Sequence, residues 1–255
     1  MIEVTHIDHM GSDLSVVNAA RVSFGKESVF KDECFNCGGL ALRKYPGIDL
    51  YGCRECYIDI PAERLILEDR DAKLIRYLAK HNHKSPFNHT FATFRVKAPV
   101  FVARQLVKHE YMPWNEISRR YVDDEPEFYT PPVWRGRSAD KKQGSDGTVD
   151  LDKHWDDIPD DGDYPMPSLA HQDALYCYRE LLRAGVCPEQ ARMVLPQSMM
   201  TEWYWSGSLF AFAKMCGLRL KDDTQYETRV VAEKIEDKMM KLFPVSWEAL
   251  RMYAE

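Results

Sequence analysis

No apolar run in the sequence approaches the ~18 residues of a membrane span, which argues against a membrane protein. A basic excess is missing too. The 255 residues carry a formal net charge of -6, whereas general nucleic-acid binders usually carry the opposite sign. Local basic clusters in an acidic chain suit small anionic ligands instead. Met-Ile-Glu-Val-Thr-His at the start does not read as a signal peptide, so a cytoplasmic protein is expected. Nor is the cysteine count even. There are seven, and four of them fall in paired CxxC units. That points to a reducing compartment and a metal site rather than a disulfide scaffold. No internal repeat is evident. The length allows one substantial core with a small appended module.

What is present concentrates in residues 99–121. An apolar helical run from Pro99 turns into a dense polar set: Arg104, Gln105, Lys108, His109, Glu110, Asn115, Glu116, Ser118, Arg119 and Arg120. A plain surface helix would alternate its faces. Here the polar groups gather at a helix end and in the following loop, where binding residues tend to sit.

Around this stretch the pattern is mixed. Residues 12–23 predict a helix, capped by Ser12 or Asp13. Asp69 caps a second one through Leu74, Ile75, Leu78 and Ala79. It ends in His81-Asn-His83-Lys-Ser85-Pro86-Phe-Asn-His89, whose histidines read as turn groups, metal ligands or cofactor-facing groups. Residues 90–97 alternate as a strand. Residues 134–165 are polar and predict a long surface loop, in which Asp156, Asp157, Asp160 and Asp161 read as a solvated run or a cation site. A broad helix from Pro167 ends at Gly185, and Pro188 opens a short one. Residues 199–206 read as a strand or an aromatic core. Residues 209–216 predict a short helix ended by Gly217, and 223–242 a long one. The class expected is α+β.

Cys34-Phe-Asn-Cys37 and Cys53-Arg-Glu-Cys56 are fifteen residues apart. Four thiolates at this spacing fit tetrahedral zinc, with a short hairpin between the pairs. Closed four-thiolate sites are usually structural, so residues 31–61 are expected to form an inserted zinc-ribbon-like module. Arg43, Lys44 and Arg54 are too few to make it a nucleic-acid contact. Arg192 and Arg219 stand in apolar frames, where a guanidinium needs a partner such as phosphate, carboxylate or a pyrimidine edge.

At the level of ordered motifs, the chain resembles the flavin-dependent thymidylate synthases. The resemblance rests on Ala19-Ala-Arg21-Val-Ser23, His81 to His89, Ala98 to Gln105, Asn115 to Tyr121, Ala191-Arg192-Met-Val-Leu-Pro196 and Leu218-Arg219, with Gln225 and Glu227. It spans most of residues 1–255 outside the cysteine module and 134–165. It implies an antiparallel sheet flanked by helices. It also implies reductive C5 methylation of dUMP to dTMP with FAD, methylenetetrahydrofolate, NADPH and no enzyme cysteine nucleophile. Family members are homotetramers with shared sites, which is the assembly expected here.

Carried over by position, Arg219 would be catalytic, stabilising charge on the uracil. Gln105, Lys108, Glu116, Ser118, Arg119, Arg120 and Arg192 would join it around dUMP. His83, Ser85, Lys108, His109, Glu110, Glu116, Ser208, Leu209, Phe210 and Lys214 would face FAD or folate. Cys34, Cys37, Cys53 and Cys56 would hold structural zinc. The family's Arg-His-Arg is here Lys108-His109-Glu110, and Ser208 and Lys214 replace expected asparagines. That substitution predicts an altered flavin contact with Glu110 directed at a neighbouring cation. It leaves open another pyrimidine nucleotide, such as dCMP, as substrate. A third reading is a non-catalytic zinc-ribbon nucleotide- or nucleic-acid-binding protein.

Overall fold

The computed structural model describes residues 1–31, 34, 36–38, 42–44, 50–61, 66–139, 144–151, 153 and 167–253. The aspartate run at 156–161 lies outside the described residues. In chain order the elements are β1 (Glu3–Met10), α1 (Asp13–Arg21), β2 (Leu42–Lys44), β3 (Leu50–Cys53), β4 (Asp59–Pro61), α2 (Asp69–Lys80), β5 (Phe91–Pro99), α3 (Val100–Leu106) and β6 (Trp114–Glu116). They continue as β7 (Trp134–Arg137), β8 (Ser145–Val149), α4 (Pro167–Arg183), α5 (Pro188–Ala191), β9 (Met200–Ser208), α6 (Leu209–Arg219), α7 (Tyr226–Leu242) and α8 (Pro244–Tyr253). The main sheet has four strands in the order β1-β5-β9-β6, and β6 runs antiparallel to β9. Helices with antiparallel strands make the class α+β, as expected. No helix is long and apolar enough to cross a membrane among the described residues.

The chain divides into two compact units. The first comprises Met1–Thr5, Arg95–Trp205 and Arg219–Ala232. In β9, Trp203 and Trp205 are buried while Tyr204 between them is exposed, the period-two pattern of a half-buried strand. On the outer face Arg95 and Glu202 form a 2.8 Å ion pair. Trp114 of β6 stacks on Trp203 with centroids 4.4 Å apart. The start of α3 is fixed by two of its N–H groups, which would otherwise lack partners. Val100 N donates to Met199 O at 2.9 Å and Phe101 N to Gln197 O at 3.2 Å.

Within 134–165, where the sequence predicts a loop, β7 and β8 pair as an antiparallel hairpin with a register shift between Arg135 and Gly136. A Cβ at Gly136 would lie 2.4 Å from Asp146 O, so only glycine permits this approach.

The second unit comprises His6–Phe94, Ser206–Leu218 and Glu233–Glu255. Its core includes Phe94 and Phe212, packed edge to face at 5.1 Å. Arg21 pairs with the fully buried Asp71. The buried Asp13 accepts from Val245 N at 2.9 Å and Ser246 N at 2.8 Å, capping α8 from a distant part of the chain. Burial raises the Asp13 pKa above the ordinary carboxylate value, against those hydrogen bonds.

The helix after β9 does not end at Gly217. A single helical glycine costs only about 1 kcal/mol, and α6 buries Leu209, Phe212, Ala213, Met215 and Cys216. The helix therefore continues to Arg219. In the small module β2, β3 and β4 form a separate three-stranded antiparallel sheet. The hairpin expected between the cysteine pairs is present as β2 and β3, with residues 45–49 outside the described set. Cys34, Cys53 and Ile60 make its core, with Phe30, Tyr51 and Ile58 against them.

Candidate functional site

In the first unit the polar stretch begins where α3 ends. His109 N donates to Leu106 O at 3.1 Å, and Tyr111 completes the turn at φ 60, a left-handed conformation uncommon outside glycine. The turn leaves Lys108 and Glu110 exposed and His109 half-buried. Glu110 makes no ion pair among the described residues, so the neighbouring cation expected for it is not found within them.

Arg219, the last residue of α6, meets this turn. Its Nε donates to His109 Nε2 at 3.1 Å and its Nη2 to Gln105 O at 3.0 Å. A guanidinium stays protonated, so His109 Nε2 must accept, and the neutral ring carries its proton on Nδ1. Burial lowers the Arg219 pKa below the ordinary arginine value. Neither hydrogen-bond partner is an anion. Arg219 is thus a partly desolvated cation held in place by neutral dipoles, which suits it to an anion that develops beside it.

The other predicted nucleotide residues divide. Gln105 is held by its side chain: Nε2 donates to Gln225 Oε1, and Thr228 Oγ1 donates to Gln105 Oε1 at 3.2 Å. Glu116 accepts from Thr201 Oγ1 at 2.7 Å and from Trp114 Nε1 at 3.1 Å. Ser118 Oγ accepts from Arg120 N at 3.3 Å and Arg120 Nε at 3.2 Å. Arg119 donates through Nη1 to Asp124 O, while its Nε is buried without a hydrogen-bond partner. Arg192 is exposed; among the described residues it donates only to Glu189 O, at 3.3 Å, and no hydrogen bond joins it to Arg219.

The predicted flavin residues of the second unit lie on two segments. His83 follows α2, with its N–H on Leu78 O at 2.9 Å. Ser85 opens the 3-10 turn Ser85–His89. On the other segment Ser208 donates to Asn88 Oδ1 at 2.7 Å and accepts from Ala211 N at 3.1 Å. Its hydroxyl caps α6 and ties the two segments together. Leu209 is fully buried, and its N–H donates to Thr90 O at 3.0 Å, so its side chain supports the segment from inside. Lys84 Nζ lies 5.4 Å from the Phe210 ring centroid, and Lys214 is exposed. Exposed cations, a histidine, a hydroxyl and an aromatic ring form a donor set that fits the pyrophosphate and ring of a flavin. Lys84 and Asn88, which lie inside the His81–His89 motif, were not among the expected site residues, yet they contact Phe210 and Ser208. Thr201 and Thr228 carried no sequence signal, since only the fold brings them to Glu116 and Gln105.

The thiols of Cys34, Cys37, Cys53 and Cys56 all lie within 4.8 Å of one another. Cys34 and Cys56 sulfurs are 3.7 Å apart, and those of Cys37 and Cys53 3.6 Å. A tetrahedron with Zn–S bonds of ~2.3 Å has edges of roughly 3.8 Å, so the residues fit the ion. Glu55 N and Cys56 N each donate to Cys53 Sγ at 3.4 Å. The Cys56 N–H leads the effects that lower the Cys53 thiol to about 7. This favours the thiolate that zinc needs. Cys216 is the opposite case: burial raises its thiol above the ordinary value.

The sequence pattern of the family described as thymidylate synthase complementing protein, Thy1, matches residues 5–245. The chain belongs to that family. It is 34% identical over 243 residues to the flavin-dependent thymidylate synthase of Thermus thermophilus, covering 95% of this chain and 73% of that one. With the flavin-dependent thymidylate synthase of Kosmotoga olearia it shares 33% over 248 residues, 97% of this chain and 89% of the other. Among solved structures it is similar to the UMP/dUMP methylase PolB from Streptomyces cacaoi bound with 5-Br dUMP, at TM-score 0.73 and 29% identity, covering 100% of this chain and 96% of that chain. The same methylase bound with 5-Br UMP superposes at TM-score 0.72 with 28% identity, covering 100% and 95% of the two chains. In this chain the Lys108-His109-Glu110 turn carries the histidine that accepts from Arg219.

Proposed function

We infer that the protein is a flavin-dependent thymidylate synthase that methylates dUMP at C5 to give dTMP. The observation that carries this reading is Arg219, a partly buried cation whose hydrogen bonds among the described residues go to His109 Nε2 and Gln105 O and to no carboxylate. Its role is to stabilise the negative charge of the uracil ring as N3 ionises, which makes C5 nucleophilic. Methylenetetrahydrofolate supplies the carbon, the C5 hydrogen leaves as a proton, and bound FAD, reduced by NADPH, supplies the hydride that completes the methyl group.

The chain's own residues bind and orient. Gln105 and Ser118 hold the nucleotide, with Arg119, Arg120 and Arg192 serving its phosphate and Lys108 and Glu116 at the border with the flavin. His83, Ser85, His109, Glu110, Ser208, Leu209, Phe210 and Lys214 belong to the FAD and folate side. Ser208 acts there indirectly, by fixing Asn88. Cysteine chemistry has no place in this scheme, in keeping with the raised Cys216 thiol. The four-cysteine module, residues 31–61, binds structural zinc. The working assembly is a cytoplasmic homotetramer.

A second reading is methylation of another pyrimidine nucleotide. The similarity to a methylase named for both UMP and dUMP favours UMP for this role over dCMP. Tritium release from C5-labelled dUMP, UMP and dCMP, with methylenetetrahydrofolate and NADPH present, separates these. Release from dUMP is expected. Release from UMP or dCMP alone would overturn the first reading, and a colourless protein without flavin would overturn both.

A further inference from the structure

The hairpin β7–β8 has no role in the scheme above, yet it supplies a cation to one of the few buried carboxylates. Glu227 is 3% exposed, and a carboxylate buried to that degree needs partners. Arg135 Nη2 lies 2.8 Å from each of its oxygens. Arg135 is itself held on two further sides. Its Nε donates to Ser145 Oγ at 3.1 Å, and its guanidinium lies 4.8 Å from the Tyr226 ring centroid. The register shift of the hairpin falls between Arg135 and Gly136.

From Glu227 a directed set of hydrogen bonds runs to the nucleotide residues. An ionised carboxylate only accepts. Glu227 therefore takes a hydrogen from Tyr129 OH at 3.4 Å and from Gln225 Nε2 at 3.2 Å. Gln225 must then turn its Oε1 away, and that oxygen accepts from Gln105 Nε2. Gln105 in turn presents Oε1 to the Thr228 hydroxyl. An isolated amide is indifferent to a flip that exchanges its N and O. Here the orientation of both amides is dictated by the charge at the far end. Gln105 uses one N–H on Gln225 and keeps one, and its backbone carbonyl holds Arg219.

We propose that Arg135 is a positioning residue for nucleotide selection: by anchoring Glu227 it sets the Gln225–Gln105 relay so that Gln105 offers the pyrimidine an N–H and not a carbonyl. A donor there matches the carbonyl oxygens of uracil. An amide flipped the other way would match the amino group of cytosine. This rests on the dUMP reading of the site.

The test uses the flavin-loaded full chain and the tritium-release assay with dUMP and dCMP. Arg135→Met strands the Glu227 charge. Glu227→Gln replaces the acceptor by a group that both donates and accepts. Each is expected to raise KM for dUMP about tenfold, the loss associated with one charged hydrogen bond. The change in kcat is expected to be smaller, with flavin content unaltered and the dUMP-over-dCMP preference narrowed. The double variant is expected to be no worse than the weaker single, because both act through one element. It also removes the stranded charge, so it serves if Arg135→Met alone does not fold. An unchanged KM and preference in Glu227→Gln and the double variant, with wild type active on dUMP, would overturn this proposal alone. A wild type inactive on dUMP would overturn the functional reading beneath it.

Discussion

The four-cysteine module and the Arg219 network are both clusters of polar side chains, assembled in opposite ways. The module is local. The Cys34–Cys37 unit precedes β2, the Cys53–Cys56 unit runs from the end of β3 into the turn after it, and together they bring four sulfurs within 4.8 Å, while backbone N–H groups two and three residues from Cys53 tune its thiol. The network is non-local. Gln105 and Arg219 are 114 positions apart, and Arg135 and Glu227 92. The module's four sulfurs converge on a spacing that fits one tetrahedral ion. Among the described residues, the network leaves the charge of Arg219 without an anionic hydrogen-bond partner. A closed set of ligands reads as structure, whereas an organised cation with no counter-ion reads as chemistry waiting for a substrate.

The largest effect that sharpens this contrast is expected at Arg219. Arg219→Ala should lower tritium release from dUMP by about 10²–10³-fold, the scale seen when a charge-stabilising donor is removed, with flavin content retained. A variant of near wild-type activity would break the contrast from the network side. On the other side, Cys34→Ser should lose the zinc measured by elemental analysis and loosen the module to proteolysis around residues 30–61. A full metal content in that variant would remove the four-thiolate assignment.

A smaller effect is expected at Ser208. Ser208→Ala removes the α6 cap and leaves Asn88 without its donor, which should cost about 1 kcal/mol in thermal or denaturant unfolding. No loss of stability would show that the cap is replaced by another group.

The smallest effect is in pH. Burial, and then the Glu227 charge, push the Tyr129 phenol up to about 12 from its ordinary 10. A folded-state pKa above the unfolded one means that the folded state holds its proton longer. The stability from Tyr129 is therefore complete below pH 10 and is lost as pH rises toward about 12. Glu227→Gln should move tyrosinate formation, followed by ultraviolet absorbance, to lower pH.

The same contrast explains what the sequence made legible. CxxC spacing is itself a distance constraint, so the zinc module could be read directly from it. Period-two alternation in residues 90–97 gave β5, because burial on one face of a strand follows the pleat. The end of α6 was misjudged because packing of Phe212, Met215 and Cys216 outweighs the cost of one glycine. The hairpin in 134–165 was invisible, since it carries few apolar residues. Arg135 ties it to Glu227, a carboxylate that is distant in sequence. Gln105, Arg219, Gln225 and Glu227 were recognisable as motif residues, but not as one relay, because amide orientation depends on tertiary contacts.

The claim on which the rest depends is that Arg219 stabilises an ionised uracil. Nitrogen NMR of dUMP labelled at N3 tests it directly, in complex with the wild-type and Arg219→Ala proteins at neutral pH. The N3 resonance should shift toward that of the deprotonated ring in the wild-type complex and stay at the neutral position in the variant. A neutral N3 in the wild-type complex, or the same shift in both, would contradict the role given to Arg219.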